Sequence, residues 1–387
     1  MMRIAFLSNY LNHHQLPFCQ AMDKLTNHQF VFVAFTSTPQ FRVKLGYADM
    51  NSEYSFVLRA YENNTNMAKA FCIVREYDLV IIGSAPDFFL KQRIKNNLLT
   101  FRYSERLFKD SLWKALSPKG LANRVKNHKI YTNKNIYILC ASAYTSFDYM
   151  LLGAYIGKSY KWGYFPQFIR YNIDDLWSKK RRASLLWVGR LIEIKHPELV
   201  LSIAEKLKVQ GYSFQIDIIG DGRNRDELKT RIIADGLGEH IHMLGNMTPE
   251  EVRKHMEQSE VFLFTSDFNE GWGAVLNEAM NSGCAVVASH AIGSVPYLIK
   301  HGTNGLIYKN GDVDELYLLT KKLLDNPEYS KKMGVAAYHT IEKEWNAEIA
   351  SERLLRISQD LLEKRKSTRY MEGPCSKAQI ITNWWKK

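Results

Sequence analysis

Apolar residues recur along the chain in short unbroken runs, each closed by a polar or glycine-bearing stretch and followed by a segment of helical spacing. The runs at 3–7, 30–35, 77–83 and 135–141 read as strands of a first half. Those at 184–188, 214–219, 241–245, 261–265 and 285–288, with a turn and strand over 303–308, read as strands of a second. Helical patterns separate them, as over 197–208, 226–234 and 248–259, the last opened by Thr248, Pro249 and Glu251 as a capping box with proline at its first position. Strand, loop and helix alternating in this way predict an α/β chain whose ligands meet the loops at the carboxyl ends of the strands. Residues 173–182, polar and charged, read as a linker between the halves, and 347–366 as a closing helix with an apolar face.

The chain is organised around residues 261–289, VFLFTSDFNEGWGAVLNEAMNSGCAVVAS. The pattern predicts a strand over 261–265, a polar loop over 266–272, a helix over 273–282 stopped by Gly283, and a strand over 285–288. Gly271 and Gly273 beside Glu270 let the backbone come close to a ligand and aim the first helical N–H groups at it. Glu278 follows two helical turns later, so both carboxylates can face one ligand and accept hydrogen bonds from vicinal hydroxyls. The same spacing also describes an exposed helical glutamate and a helix-start charge favoured by the dipole.

The stretch EGWGAVLNEAMNSGCAVVAS resembles the E-x7-E signature of retaining group 1, or family 4, glycosyltransferases, matching at Glu270, Gly271, Gly273, Glu278, Ala279, Gly283, Val286 and Val287. Upstream, Gly189, Arg190, Leu191 and Lys195 are similar to that family's G-R-L-x-x-x-K-G, with His196 where glycine is common. The resemblance implies the GT-B fold, two Rossmann-like domains facing a central cleft with a C-terminal helix crossing back to the first. It implies residues 1–172 as the acceptor-binding domain, 180–345 as the nucleotide-sugar-binding domain, and 346–387 as crossover helix and tail.

It also implies roles. Arg190 and Lys195 would hold the donor diphosphate, and Glu270 the sugar hydroxyls beside the anomeric carbon. The amides of Gly271, Trp272, Gly273, Ala274 and Val275 would bind the sugar, and Glu278 the ribose. Gly222, in a turn with Gly220 and Asp221, would lie next to the nucleotide, and Leu244 would meet the base through its backbone. No protein nucleophile stands out, which suits a front-face mechanism with retention. No D-x-D pair closes a strand, and two fixed cations can neutralise a leaving diphosphate, so neither metal nor cofactor is expected.

In the first half, Asn9, Asn12, His13 and His14 stand where the family often has a glycine-rich loop facing donor and acceptor. A histidine there could bind or deprotonate a hydroxyl, or the group could simply start the next helix. Ser142, Tyr144, Thr145 and Asp148 follow the strand at 135–141 and could line the acceptor side. The family's usual histidine near that place is missing, which leaves the residue assisting acceptor deprotonation open.

Charge adds a partner. The 387 residues carry a net charge of +12, and all of it belongs to residues 1–172, with 22 Lys/Arg against 10 Asp/Glu. Twelve basic residues fall between Lys91 and Lys134, interleaved with apolar ones such as Leu98, Leu99, Phe101, Leu107, Phe108, Leu112, Trp113, Leu116 and Leu121. The pattern suits a basic amphipathic helix on an anionic membrane surface, or a solvated helix with its apolar side in the core. Nucleic acid is not expected, since no helix-turn-helix, zinc spacing or RNP pattern accompanies the charge.

Five scattered cysteines suggest reduced thiols, and no run approaches a membrane span. The opening reads as a strand rather than a signal peptide, so a cytoplasmic protein is expected, on the inner face of the plasma membrane if the basic segment binds lipid. These expectations converge on transfer of a sugar from a nucleoside-diphosphate sugar to a saccharide acceptor, lipid-linked given the basic segment, in surface polysaccharide synthesis. A sugar-nucleotide epimerase on the same fold and a non-catalytic membrane-surface partner are the alternatives.

Overall fold

The computed structural model describes residues 1–25, 27–40, 48–109, 117–366, 368–383 and 386, with only the backbone of Arg124. The chain forms two compact units, Met1–Gln167 with Trp345–Thr382, and Phe168–Glu344 with Asn383–Lys387.

The first unit is built on a parallel sheet of seven strands in the order β3-β2-β1-β4-β5-β6-β7. They are Met2–Ser8 (β1), His28–Ala34 (β2), Val57–Arg59 (β3), Leu79–Ile82 (β4), Thr100–Ser104 (β5), Ile136–Cys140 (β6) and Ser159–Lys161 (β7). Ile4, Leu7, Phe32, Leu79, Ile138 and Leu139 are fully buried, as expected of strands covered by helices on both faces.

Three of these strands differ from the sequence reading. β3 and β7 are only three residues long, too short to show a period. β5 lies inside the basic segment, which is therefore not one amphipathic helix. It comprises the helix Asp87–Lys95, β5 and the helix Pro118–His128. Leu99, Phe101 and Phe108 belong to the core, and two of the charges are buried as well. Arg93 donates to the carbonyls of Val74 (2.8 Å), Tyr77 (2.9 Å) and Leu99 and to Thr100 Oγ1 (3.0 Å). Arg106 pairs with Asp148 at 3.3 Å. Asp110, Leu112, Trp113, Lys114 and Leu116 lie outside the described residues, whereas Lys91, Lys95, Lys119, Lys126, Lys129 and Lys134 are exposed.

The closing helix runs over Ala347–Leu362 and packs on the helix Leu16–Asp23 of the same unit. The chain beyond it joins the edge of β7, where Lys161 N–H donates to Ser376 O (2.7 Å) and Cys375 N–H to Lys161 O (2.8 Å). Trp384, Trp385 and Lys387 lie outside the described residues.

The second unit carries a parallel sheet of six strands in the order β10-β9-β8-β11-β12-β13. They are Arg181–Val188 (β8), Gln215–Ile219 (β9), Ile241–Gly245 (β10), Ser259–Phe264 (β11), Ala285–Ser289 (β12) and Leu306–Tyr308 (β13). Residues 173–182, read from sequence as a linker, are part of this unit: the helix Ile173–Ser178 leads straight into β8.

Lys180 is the reason that segment is fixed. Its ammonium donates to the carbonyls of Ser259 (2.7 Å), Ser282 (2.9 Å) and Met256 (3.1 Å), gathering the ends of two helices and the start of β11. Burial lowers its pKa, so the charge is held by those carbonyls rather than by water. Lys180→Met is expected to destabilise the unit by about 2–4 kcal/mol, because the stem still packs while the carbonyls lose their donor. Urea unfolding of the two proteins measures it, and an unchanged midpoint would show the ammonium to be dispensable.

Candidate functional site

Because every strand of the second sheet is parallel, the loops after β8, β9, β10, β11 and β12 all open at one edge. The first three are pressed together backbone to backbone. A Cβ on Gly220 would stand 1.9 Å from Gly189 O, and one on Gly222 would stand 2.3 Å from Leu191 O. Leu191 N–H donates to Asp221 O (2.9 Å) and Gly220 N–H to Gly245 O (2.7 Å). Gly222 thus serves first as a place where two loops touch, and Leu244, half-buried, is the last residue but one of β10. Arg190 is exposed on the first loop and makes no ion pair among the described residues.

A hydrogen-bonded chain ties the first loop to the one after β11. Trp187 Nε1–H donates to Thr265 Oγ1 (2.9 Å), whose hydroxyl donates to Lys195 O (2.6 Å), and Asp267 N–H donates to Ile194 O (3.0 Å). The side chains then meet. Lys195 Nζ pairs with Glu270 Oε2, which Ser266 Oγ also reaches at 3.3 Å, and both partners are about 15% exposed, at 15% and 14%. Glu270 O accepts from Gly293 N–H (3.2 Å) of the loop after β12. Two residues 75 positions apart are so brought into contact by the sheet edge.

The turn after Glu270 requires glycine. Gly273 has φ +77°, and a Cβ there would lie 2.3 Å from Phe264 Cζ and 3.2 Å from Glu270 Cγ. Trp272 is fully buried, its Nε1–H donating to Asn277 Oδ1 (2.9 Å), so the indole is a floor under the turn. The helix is Val275–Asn281, shorter at both ends than its sequence pattern, and Leu276 N–H closes the turn at its start on Gly273 O. The amides of Gly271, Gly273, Ala274 and Val275 have no acceptor among the described residues.

Glu278 lies half-buried on that helix, its carboxylate without a hydrogen-bond partner among the described residues. Burial raises its pKa, with the nearby Arg253 pulling the other way. Arg253 instead grips the helix end, donating to Glu278 O (3.1 Å) and Asn281 Oδ1 (3.1 Å).

Beside Lys195, His196 adopts φ +48° and contacts Glu198 Oε1 (2.7 Å) and Asp267 Oδ2 (3.3 Å) through its two ring nitrogens. The sequence reading noted it only as a substitute for glycine. The carboxylates in H-P-E and S-D-F-N-E were the available signal, and nothing but the fold says that they converge.

In the first unit, Asn12 Oδ1 accepts from the amides of His14 (3.1 Å) and Gln15 (3.2 Å), which makes it the turn into the first helix. The His13 and His14 rings meet tilted, at 3.7 Å, and His14 stacks on Tyr164 at 5.3 Å, after the carboxyl end of β1. Asn9, half-buried, accepts at its carbonyl from Phe35 and Thr36 N–H, each at 2.8 Å. Asp148 does not line a surface: it is buried against Arg106 and the amides of Leu107 (2.8 Å) and Phe108 (3.1 Å), and Ser142, Tyr144 and Thr145 are buried with it. Among the described residues no His, Cys, Asp and Glu group could hold a metal ion.

Comparison with known proteins matches part of the chain by sequence and nearly all of it by fold. Residues 172–340 match the family described as Glycosyl transferases group 1. The amylovoran biosynthesis glycosyltransferase AmsK of Erwinia amylovora is 31% identical over 182 residues, 46% of this chain and 44% of that protein. The alpha-D-kanosaminyltransferase of Streptomyces kanamyceticus is 29% identical over 192 residues, 50% of this chain and 48% of that one. The chain thus spans about half the length of the curated relatives it matches. Among solved structures, Anabaena HepE in complex with UDP superposes with a TM-score of 0.65 at 15% identity, covering 92% of this chain and 98% of that chain. Sucrose-phosphate synthase from Thermosynechococcus elongatus gives 0.67 at 15% identity, covering 94% and 100%. The chain therefore has the α/β GT-B fold of two Rossmann-like units, and its second unit carries the glycosyl transferases group 1 match.

Proposed function

We propose that the second unit binds a nucleoside-diphosphate sugar and that the chain transfers its hexose, with retention of anomeric configuration, to a hydroxyl of a saccharide acceptor. The observation that carries this reading is the Lys195–Glu270 pair set against the acceptor-free amides of Gly271, Gly273, Ala274 and Val275. Lys195 has three N–H donors and Glu270 uses one, which leaves two for phosphate oxygens. Glu270 keeps its second oxygen for sugar hydroxyls, the amides complete the cradle, and exposed Arg190 adds a second cation to the diphosphate. Glu278 accepts from the ribose hydroxyls, Leu244 and Gly222 border the nucleotide, and Asn9, Asn12 and His13 belong to the acceptor side.

As the glycosidic bond to the leaving phosphate oxygen breaks, the acceptor oxygen bonds the anomeric carbon from the same face and its proton passes to that phosphate oxygen. The two cations take the charge a metal would otherwise take, so transfer is expected to proceed in EDTA. Donor candidates are nucleotide sugars such as UDP-glucose, GDP-mannose and dTDP sugars. Proton NMR of the initial glycoside product tests the reading: the donor's anomeric configuration supports it, and the inverted one refutes it.

We further place the acceptor on a lipid at a membrane surface, within surface polysaccharide synthesis, and the name of the amylovoran relative supports the second part of that reading. No helix of the described residues is long and apolar enough to cross a membrane. The basic segment nonetheless exposes Leu121 and Ile130 with Lys126, Lys129 and Lys134, and Leu151 and Ile156 are exposed after it. The two stretches adjoin, since Lys158 Nζ donates to the carbonyls of Thr132 and Lys134, each at 2.7 Å. Each lysine near an anionic surface contributes about 1 kcal/mol, so changing Lys119, Lys126, Lys129 and Lys134 to Gln is expected to abolish flotation with anionic vesicles. Unchanged flotation would sink the lipid-surface reading.

A further inference from the structure

We propose that His196 is a positioning residue, its imidazolium clamping the loop that carries Lys195 to the loop that carries Glu270. The clamp is read from geometry, and only its consequence for ligand binding rests on the donor-site reading above. One ring nitrogen meets Glu198, in the first turn of the helix Glu198–Val209, and the other meets Asp267, three residues before Glu270. Both acceptors are carboxylates, so satisfying both requires a proton on each nitrogen, and the ring is a cation. Asp267 is itself held in place, accepting from Asn269 N–H at 2.8 Å.

The backbone argues for the same role. His196 sits at φ +48°, ψ 52°, the left-handed region that glycine enters without cost. A side chain kept there against that cost does something glycine cannot. Without it the two loops share the Asp267–Ile194 and Thr265–Lys195 hydrogen bonds, both to backbone carbonyls, and the Lys195–Glu270 pair that ligand binding draws on. The clamp adds a charged bond from the residue next to Lys195 to a carboxylate three residues before Glu270. The other charges of this turn are already matched, Glu193 by Arg223 and Lys195 by Glu270.

Protonation sets when the clamp acts. Hydrogen bonds that the ring donates to Asp267 and Glu198 outweigh burial and raise the His196 pKa to about 9. The unfolded chain has an ordinary histidine near pKa 6.5, so folding raises the affinity for the proton. The stabilisation is fully present below about pH 6.5 and fades as pH rises through about 9.

The test compares the native chain with His196→Gly, which keeps the backbone turn and removes the ring, and with His196→Asn, which also tolerates the left-handed conformation. Hydrogen exchange near neutral pH should quicken about tenfold in 190–196 and 266–273 of the glycine variant, with the rest of the unit unchanged. UDP affinity should fall about five- to tenfold near neutral pH, and the native-to-variant ratio should approach one as pH passes about 9, a ratio that cancels titration of the ligand. Unchanged exchange in both loops, or an affinity ratio that ignores pH, would overturn the clamp. Loosened loops in a chain whose native form binds none of UDP, GDP, dTDP and ADP would uphold the clamp and overturn the donor-site reading.

Discussion

Glu278→Ala is expected to weaken nucleoside-diphosphate binding by about a hundredfold or more while leaving the fold intact. A carboxylate receiving two ribose hydroxyls makes two charge-assisted hydrogen bonds, worth about 1.5–3 kcal/mol each, and a methyl group makes neither. The stability arm has the opposite sign. Burial raises the Glu278 pKa, so ionising it in the folded chain is penalised at neutral pH, and the variant should melt no lower than the native protein. Nucleotide affinity of the native chain should fall on acidification at a higher pH than for an ordinary glutamate, as the carboxylate takes up its proton. A variant that binds nucleotide normally, with an unchanged acid limb, would remove Glu278 from the site.

Gly273→Ala should abolish transfer outright. Its Cβ would fall 2.3 Å from Phe264 Cζ and 3.2 Å from Glu270 Cγ, and φ +77° adds backbone strain of about 1–3 kcal/mol. The ring at the end of β11 has no space to retreat, being 2% exposed, so the loop must move and take Glu270 with it. Transfer should drop below detection with a fall in melting temperature of about 2–8 °C, whereas Gly311→Ala, with the same backbone strain at φ +80° but a Cβ that meets nothing within 4 Å, should spare activity. Transfer above about a tenth of native in the Gly273 variant would show that the loop bends without losing its geometry.

The sequence carried the second unit well because its strands are buried apolar runs and its loops hold glycines where backbones touch. Glu270 and Lys195 could each be singled out there, but their meeting needed the parallel order that sets β8 beside β11. In the first unit the charges misled. Arg93 and Arg106 look like surface cations in the sequence, yet both are buried on carbonyls or a carboxylate, and β5 runs between them. Residues 375–378 pair with β7 through backbone groups, and side-chain pattern says nothing about such pairing. Asp148 illustrates the same limit: a polar residue after a strand is indistinguishable in sequence from one sealed against an arginine.

The central claim, that the second unit is a nucleotide-sugar donor site working without metal, is tested most directly by calorimetric titration of the native protein with UDP, GDP, dTDP and ADP in EDTA. One of the four should bind tightly at a single site. A folded protein that takes up none of them would contradict the account.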